Sequence, residues 1–426
     1  MNKRTKTALR WWCLYGWTFA KWTMAASAIG VVCGLIGTMF HFGVHEVTAF
    51  RGTHPWVLYL LPLAGFVIVS FYKLTETDGL GTDDIIDAVH EGKRLPILLL
   101  PAIFFGTVLT HLCGGSAGRE GAALQMGGTI GQCMGRTFRL DDRDLRVATL
   151  AGMAAFFSAL FGTPLAATVF AIMVISIGVI YHVALYPSLL AALVAYGVSV
   201  RLGVEPTRFT VAVPDQSVGM FVRVAALGVL CALVSILFCK LMHGAGHLMK
   251  RIKNPWLRVI CGGFAVIALT WIFGTDYNGA GMDVVTRAIE QETVAVPWAF
   301  LLKLVFTAVT LAAGFKGGEV VPSFFVGATF GCAVSPLLGL PVGFGAAVGL
   351  AAVFCGVTNC PVASTLLAVE LFGAEGMLYF ALACCLSYML SGYQGLYSSQ
   401  TILYSKLKAQ FINVHTNAYH AGEKTE

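Results

Sequence analysis

An arginine and a glutamate, Arg119 and Glu120, stand side by side between glycines in the stretch Gly114-Gly115-Ser116-Ala117-Gly118-Arg119-Glu120-Gly121. The chain around them is mostly hydrocarbon. A charge inside a membrane segment is costly unless it faces protein or a water-filled cavity, so it marks a functional site by default. Glycine permits unwound backbone and lets a ligand come close to the N–H groups. After Gly121 the sequence is apolar and helix-competent. The pattern predicts a broken helix whose free N–H donors and positive dipole end attract Glu120, or an anion in its place. Glu120 can then work as a gate: ionised, it occupies the anion's position, and protonated, it leaves. The competing reading is a buried ion pair between Glu120 and Arg119.

The elements that position these residues must lie in a bilayer. The chain has 426 residues, 57% hydrophobic and 12% charged, with a mean hydropathy of +0.77. Soluble proteins carry about 25% charged residues. A polytopic membrane protein follows. Lys3, Arg4, Lys6 and Arg10 open the chain with no acidic residue and no cleavage pattern, which predicts a cytoplasmic N-terminus. The formal charge of +6 is dispersed, which suits anchoring to a lipid leaflet and not a nucleic-acid partner. Twelve cysteines form no C-x-x-C pair and ten histidines no H-E-x-x-H. No metal or cofactor site is expected.

Residues 1–22, with Trp11, Trp12, Tyr15, Trp17 and Trp22, read as a cytoplasmic interfacial helix. A first transmembrane repeat is expected over 23–200, a second over 219–404, and a cytoplasmic tail over 405–426. Several apolar segments have only about 13–15 residues, and a helix of that length covers roughly 20 Å of a ~30 Å hydrocarbon core. Short, glycine-interrupted segments point to re-entrant helices around a cavity.

The chain repeats itself at a spacing of about 200 residues. Gly79-Leu80-Gly81-Thr82-Asp83 is echoed by Gly279-Ala280-Gly281-Met282-Asp283, and Gly127, Thr129 and Gly131 by Gly327, Thr329 and Gly331. At a slightly shorter spacing Gly152, Ala154, Ala155 and Phe157 match Gly349, Ala351, Ala352 and Phe354. The glycine breaks 79–81 and 114–121 therefore correspond to 279–281 and 314–318. The repeat and the broken segments together predict halves of opposite topology, with a small-anion site where helix N-termini converge.

These residues resemble the CLC family of chloride channels and chloride/proton antiporters. Gly118-Arg119-Glu120-Gly121 is similar to its G-R-E-G-P, Gly79-Leu80-Gly81-Thr82 to G-S-G-I-P, Gly318-Glu319-Val320-Val321-Pro322 to G-I-F-x-P, and Thr163-Pro164-Leu165-Ala166-Ala167 to A-P-L-A-G. Gly395-Leu396-Tyr397-Ser398 matches the region that supplies the family's central tyrosine. The family's chloride/proton exchangers carry an internal glutamate where Val174 stands here, after Met173. The family serine is replaced by Leu80, and an acid is gained at Glu319. These features resemble the fluoride-exporting branch, the fluoride/proton antiporters.

The resemblance implies an all-α polytopic fold with two inverted-topology repeats and broken, re-entrant helices. It implies a homodimer in a plasma (inner) membrane, exchanging fluoride or chloride for protons, with both termini cytoplasmic. Glu120 and Glu319 are the expected gating and proton-transfer groups. Gly79, Leu80, Gly81, Gly118, Arg119, Gly121, Val320, Val321, Phe324, Phe325 and Tyr397 are the expected anion-binding residues.

Each has a plainer alternative. Glu319 can be an N-terminal helix acid, Phe324 and Phe325 packing residues, and Tyr397 an interfacial tyrosine beside Tyr393 and Tyr404. Glu370 reads as structural, accepting backbone donors. Fluoride is strongly hydrated and needs short, strong hydrogen bonds. Leu80 cannot supply one, whereas a protonated Glu319 can. Two other functions stay open: a chloride channel or exchanger, and an intramembrane serine protease, because Gly114-Gly115-Ser116-Ala117-Gly118 fits G-x-S-x-G, with His111 or His182 as base.

Overall fold

The computed structural model describes residues 3–293, 296–408 and 410–417. Among the described residues, α-helices fall in two sets of eight. The first set is α1 (Lys3–Thr53), α2 (Leu61–Leu74), α3 (Thr82–Glu91), α4 (Leu99–Leu112), α5 (Glu120–Thr137), α6 (Asp142–Phe161), α7 (Pro164–Met173) and α8 (Leu185–Arg201). The second is α9 (Val218–Met249), α10 (Pro255–Phe273), α11 (Met282–Glu290), α12 (Ala299–Ala313), α13 (Val320–Leu338), α14 (Val342–Thr358), α15 (Pro361–Phe372) and α16 (Met377–Leu390). The sets correspond in order, as the sequence repeat predicts. Among the described residues, seven helical stretches are long and apolar enough to cross a membrane, and several apolar helices are shorter.

The repeated glycines sit where paired helices cross. A Cβ on Gly127 or Gly131 of α5 would strike the backbone of α6 at Gly152 and Ala148. A Cβ on Gly327 or Gly331 of α13 would strike α14 at Gly349 and Gly345. Close backbone approach through small residues is how helices associate where lipid removes the hydrophobic driving force between them.

Both halves turn by the same chemistry. α6 ends on Gly162 at φ 69° and α14 on Asn359 at φ 61°. Each left-handed residue is followed by a proline at the first turn of the next helix, Pro164 or Pro361, the common stop-and-restart pattern. Glu370 of α15 then caps α7: its Oε1 accepts the Leu165 N–H at 3.1 Å and its Oε2 that of Ala166 at 2.9 Å. This is the structural role read from the sequence.

Two features depart from a purely helical picture. α1 runs unbroken through residue 22, where the interfacial segment is expected to hand over to the first span. Its 51 residues extend over roughly 76 Å, well beyond a ~30 Å hydrocarbon core. The C-terminal segment is not a featureless tail. Strand β1 (Ser176–Ile177) pairs in parallel with β2 (Thr401–Tyr404), which pairs antiparallel with β3 (Phe411–His415). The short strands carry β-branched residues in Thr401, Ile402, Ile412 and Val414, which favour extended backbone. Lys406, just after β2, ties the sheet to the ends of α14 and α16, its Nζ donating to Asn359 Oδ1, to the Tyr388 carbonyl at 3.0 Å and to Ser391 Oγ at 3.3 Å.

Candidate functional site

Two glycine breaks cross at the centre of the molecule. The N–H of Gly118 donates to the Gly318 carbonyl at 2.8 Å, and the N–H of Gly318 donates to the Gly118 carbonyl at 2.8 Å. This one-rung antiparallel bridge joins the two halves. Only glycine fits. A Cβ on Gly121 would lie 2.9 Å from Gly318 Cα, one on Gly318 would meet the Gly121 nitrogen, and one on Gly118 would meet the Glu120 carboxylate. Below the bridge, Ala117 N–H donates to the Gly279 carbonyl at 3.2 Å and Gly279 N–H to the Gly115 carbonyl at 3.1 Å.

Glu120 begins α5 but serves α13. It is fully buried, and its Oε2 accepts the N–H of Val321 in the first turn of α13 at 3.2 Å. A carboxylate there satisfies one of the orphan N–H groups of a helix start and meets its positive dipole end. Its Oε1 has no hydrogen-bond partner. Arg119 forms only a long ion pair with Glu120, Nε standing 4.0 Å from Oε1. Its guanidinium instead contacts His41 Nδ1 at 3.1 Å and lies over the Phe161 ring at 5.8 Å from the centroid. The ion-pair alternative therefore lacks a hydrogen bond to carry it.

Two cavities flank the crossing. The first, of about 600 Å³, is bordered by the α1 segment around His41, His45 and Arg51, by Arg119, Glu120 and Val321, and by the 275–283 break. The second, of about 270 Å³, is bordered by the 79–84 break, Lys316, Glu319 and Tyr397. Glu120 thus faces one cavity and Glu319 the other. The equivalent breaks of the two halves, 79–81 and 279–281, open on opposite cavities, which is the geometry of inverted repeats.

The remaining expected residues divide. Val320, Val321, Phe324 and Phe325 are buried at the start of α13. Phe324 packs edge-on against Phe161 and Phe354, with centroids 6.1 and 5.1 Å away. Lys303 Nζ stands 5.3 Å over the Phe325 ring. Tyr397 is buried, and its hydroxyl has no partner. Gly79, Leu80 and Gly81 border the second cavity, but two of their N–H groups are engaged: Leu80 donates to the Thr77 carbonyl at 3.2 Å and Gly81 to Asp84 Oδ2 at 2.9 Å. Val174, at the position of the exchangers' internal glutamate, is buried, and its carbonyl accepts Gln400 Nε2 at 2.9 Å.

Ser116 does not meet a base. Its hydroxyl pairs with Thr307 Oγ1 at 3.0 Å and its N–H donates to Thr310 Oγ1 at 3.1 Å. His111 Nδ1 instead contacts the Thr107 carbonyl at 2.9 Å, and His182 lies beyond β1, in the turn before α8.

The sequence reading passed over Tyr72, Lys303 and Lys316. The two lysines carry the same signal that singled out Arg119 and Glu120, a lone charge in or beside an apolar segment.

Residues 63–392 match the family described as voltage gated chloride channel. The chain is 39% identical over 399 residues to a chloride/fluoride channel protein of Pseudomonas syringae pv. tomato, spanning 91% of this chain and 88% of that one. It is 25% identical to an H(+)/Cl(-) exchange transporter ClcA of Vibrio campbellii, over 81% of each chain. The fold superposes on the crystal structure of a CLC-type fluoride/proton antiporter with a TM-score of 0.87 and 32% identity, covering 90% of this chain and 98% of that one. It superposes on a slow cyanobacterial Cl-/H+ antiporter with a TM-score of 0.75 at 20% identity, covering 87% and 94%, a likeness of fold alone. With its duplicated broken helices, its glycine crossing and these similarities, the chain belongs to the CLC family of anion transporters.

Proposed function

We propose that the protein is a fluoride/proton antiporter that exports fluoride, with Glu120 as the gate and Glu319 as a second proton-handling group. The observation that carries this reading is the Glu120 carboxylate seated on the Val321 N–H at 3.2 Å. An anion arriving at the α13 N-terminus competes for that donor. Protonation weakens the carboxylate's hold, so one proton carried by Glu120 and one anion bound at Val321 exclude each other. Across the Gly118–Gly318 crossing, Glu319 and the unpartnered Tyr397 hydroxyl border the second cavity. A protonated Glu319 and Tyr397 each offer an O–H donor there, the chemistry that a strongly hydrated anion demands. Leu80 offers none. The 32%-identical structure is named a fluoride/proton antiporter, which supports fluoride as the ion, and the Pseudomonas relative is named for both chloride and fluoride.

The sidedness follows from charge. Lys21 of α1 pairs with Asp144 at the start of α6, where Asp142, Leu145 and Arg146 border one cleft with Gly92 and Arg94 after α3. Asp83 at the start of α3 accepts the Ser399 N–H at 3.1 Å. These contacts support placing the Lys21 segment of α1 and the loop at Ser399 on one face, and the basic residues that open the chain favour the cytoplasm for it. The second cavity then opens to the cytoplasm of a cell whose plasma membrane holds the protein, as a homodimer.

The test is ion efflux from liposomes holding the purified protein, fluoride against chloride, with proton uptake followed in parallel. Fluoride-selective flux that drives protons supports the proposal. Chloride moved as readily as fluoride establishes the chloride alternative. Ser116→Ala should leave the flux intact, whereas a serine protease would lose its activity.

A further inference from the structure

The second cavity holds donors that the gate and its partner do not use. Lys316 lies on the 314–318 break, and its ammonium stands 4.1 Å over the centroid of the Tyr72 ring. Among the described residues it has no carboxylate within 4 Å and no carbonyl acceptor. Of the acids nearby, Asp84 accepts Lys93 Nζ at 2.8 Å and Gly81 N–H at 2.9 Å, Asp83 accepts Ser399 N–H at 3.1 Å, and Asp78 acts on the ammonium only from beyond ion-pair distance. Tyr72 is 1% exposed, and its hydroxyl has no hydrogen-bond partner. A buried phenol normally finds a partner, and a lysine in a membrane protein normally finds an acceptor. Here both lack one, and both border the same cavity as Glu319 and Tyr397.

The fold does not need a lysine at this point. Its repeat mate is Ser116, and the two share a backbone role: Ser116 N–H donates to Thr310 Oγ1 at 3.1 Å and Lys316 N–H to Thr110 Oγ1 at 3.2 Å. In each half the loop is held by a threonine from the opposite half, Thr310 of α12 or Thr110 of α4, so the ammonium is an addition to only one of them. Room is kept for it. Gly106 of α4 lies against both side chains, and a Cβ there would stand 3.2 Å from Lys316 Cβ and 3.2 Å from Tyr72 Cε2.

We infer that Lys316 and Tyr72 form a loading site for a fluoride-sized anion in the second cavity, one step before Tyr397 and Glu319 on the transport route. The ammonium supplies the charge and the phenol a short O–H···anion bond. Together they replace part of the hydration that the ion sheds on entry. The inference rests on the reading that this protein carries a small anion through that cavity.

The test measures initial efflux rates against internal anion concentration, and fluoride binding by calorimetry on the detergent-solubilised full chain. Tyr72→Phe removes only an unpartnered hydroxyl, so its thermal stability should equal or exceed that of the wild type. Its KM and Kd for fluoride should each rise about tenfold, the loss of one hydrogen bond to a charged group. The maximal rate and the proton-to-fluoride ratio should not change. Lys316→Met should raise KM at least as much, and Lys316→Arg, which keeps the charge, should recover much of it. Wild-type protein without fluoride flux overturns the fluoride reading, and the same variants are then measured with chloride, where the same rise in KM is expected. Anion flux that persists with wild-type KM and Kd in Tyr72→Phe and Lys316→Met overturns the loading site alone. If Lys316→Met does not give a monodisperse protein, Tyr72→Phe decides.

Discussion

The carboxylate of Glu120 and the N–H of Val321, 201 positions apart, meet at 3.2 Å. The acid belongs to the first helix turn of one half and the donor to the first helix turn of the other. On the proposed reading this contact is the gate, and it closes across the joint between the repeats, where an anion would have to stand.

Glu120→Gln should separate the two ion fluxes. A hydrogen bond to a charged group contributes about 1.5–3 kcal/mol and a neutral one about 1, so an amide should yield Val321 to an anion on the order of tenfold more readily. The amide carries no titratable proton. In liposomes, fluoride flux should persist while coupled proton flux falls to background. Continued proton pumping would show that another group is the gate.

Glu319→Gln should weaken fluoride transport or its proton coupling and leave the fold intact, because the side-chain volume is kept. Glu319 makes no side-chain hydrogen bond at the α13 N-terminus, so the exchange removes no cap. Thermal unfolding should match the wild type within ~0.5 kcal/mol. Unchanged fluoride and proton fluxes would remove Glu319 from the mechanism.

Gly118→Ala should abolish transport. The added methyl occupies the space of the Glu120 carboxylate and lies 3.0 Å from Pro322 Cδ. Overpacking of this kind costs about 1–3 kcal/mol, which a thermal melt in detergent should register as a modest fall. A variant with wild-type flux would mean that the gate does not need this seat.

Glu370→Ala should lower stability with little effect on ion selectivity. It leaves the Leu165 and Ala166 N–H groups without their acceptor, and loss of a helix cap costs about 0.5–2 kcal/mol. A melt unchanged from wild type would contradict the capping role.

Labelling should show the inverted halves directly. With the exposed Cys13, Cys261 and Cys385 replaced by alanine, Glu76→Cys and Asp276→Cys should react with an impermeant maleimide from opposite sides of the membrane. Reaction of both from one side would contradict the inversion.

The sequence by itself determined the membrane class, the duplication and the glycine breaks. Each of these rests on local physics. Hydrocarbon content decides the solvent, a glycine echoed at matching positions marks a backbone approach that no Cβ permits, and a charge in such a break marks a site. Gly118 and Gly121 were legible for that reason, and so was Glu370 as an acceptor. What remained for the tertiary structure was which groups meet across the repeat. No spacing rule announces that Gly118 pairs with Gly318, that Glu120 caps the opposite half through Val321, or that Arg119 turns toward His41. Those contacts join residues far apart in the chain, and their geometry is set by how the two halves cross. The C-terminal sheet was illegible for a related reason. Its central strand, β2, is short and pairs with Ser176–Ile177 more than 200 positions earlier, so no local alternation reveals it. Lys316 and Tyr72 show the same limit: the lysine's lone charge was legible and the tyrosine was ordinary in its segment, but only their shared cavity shows that both lack a partner.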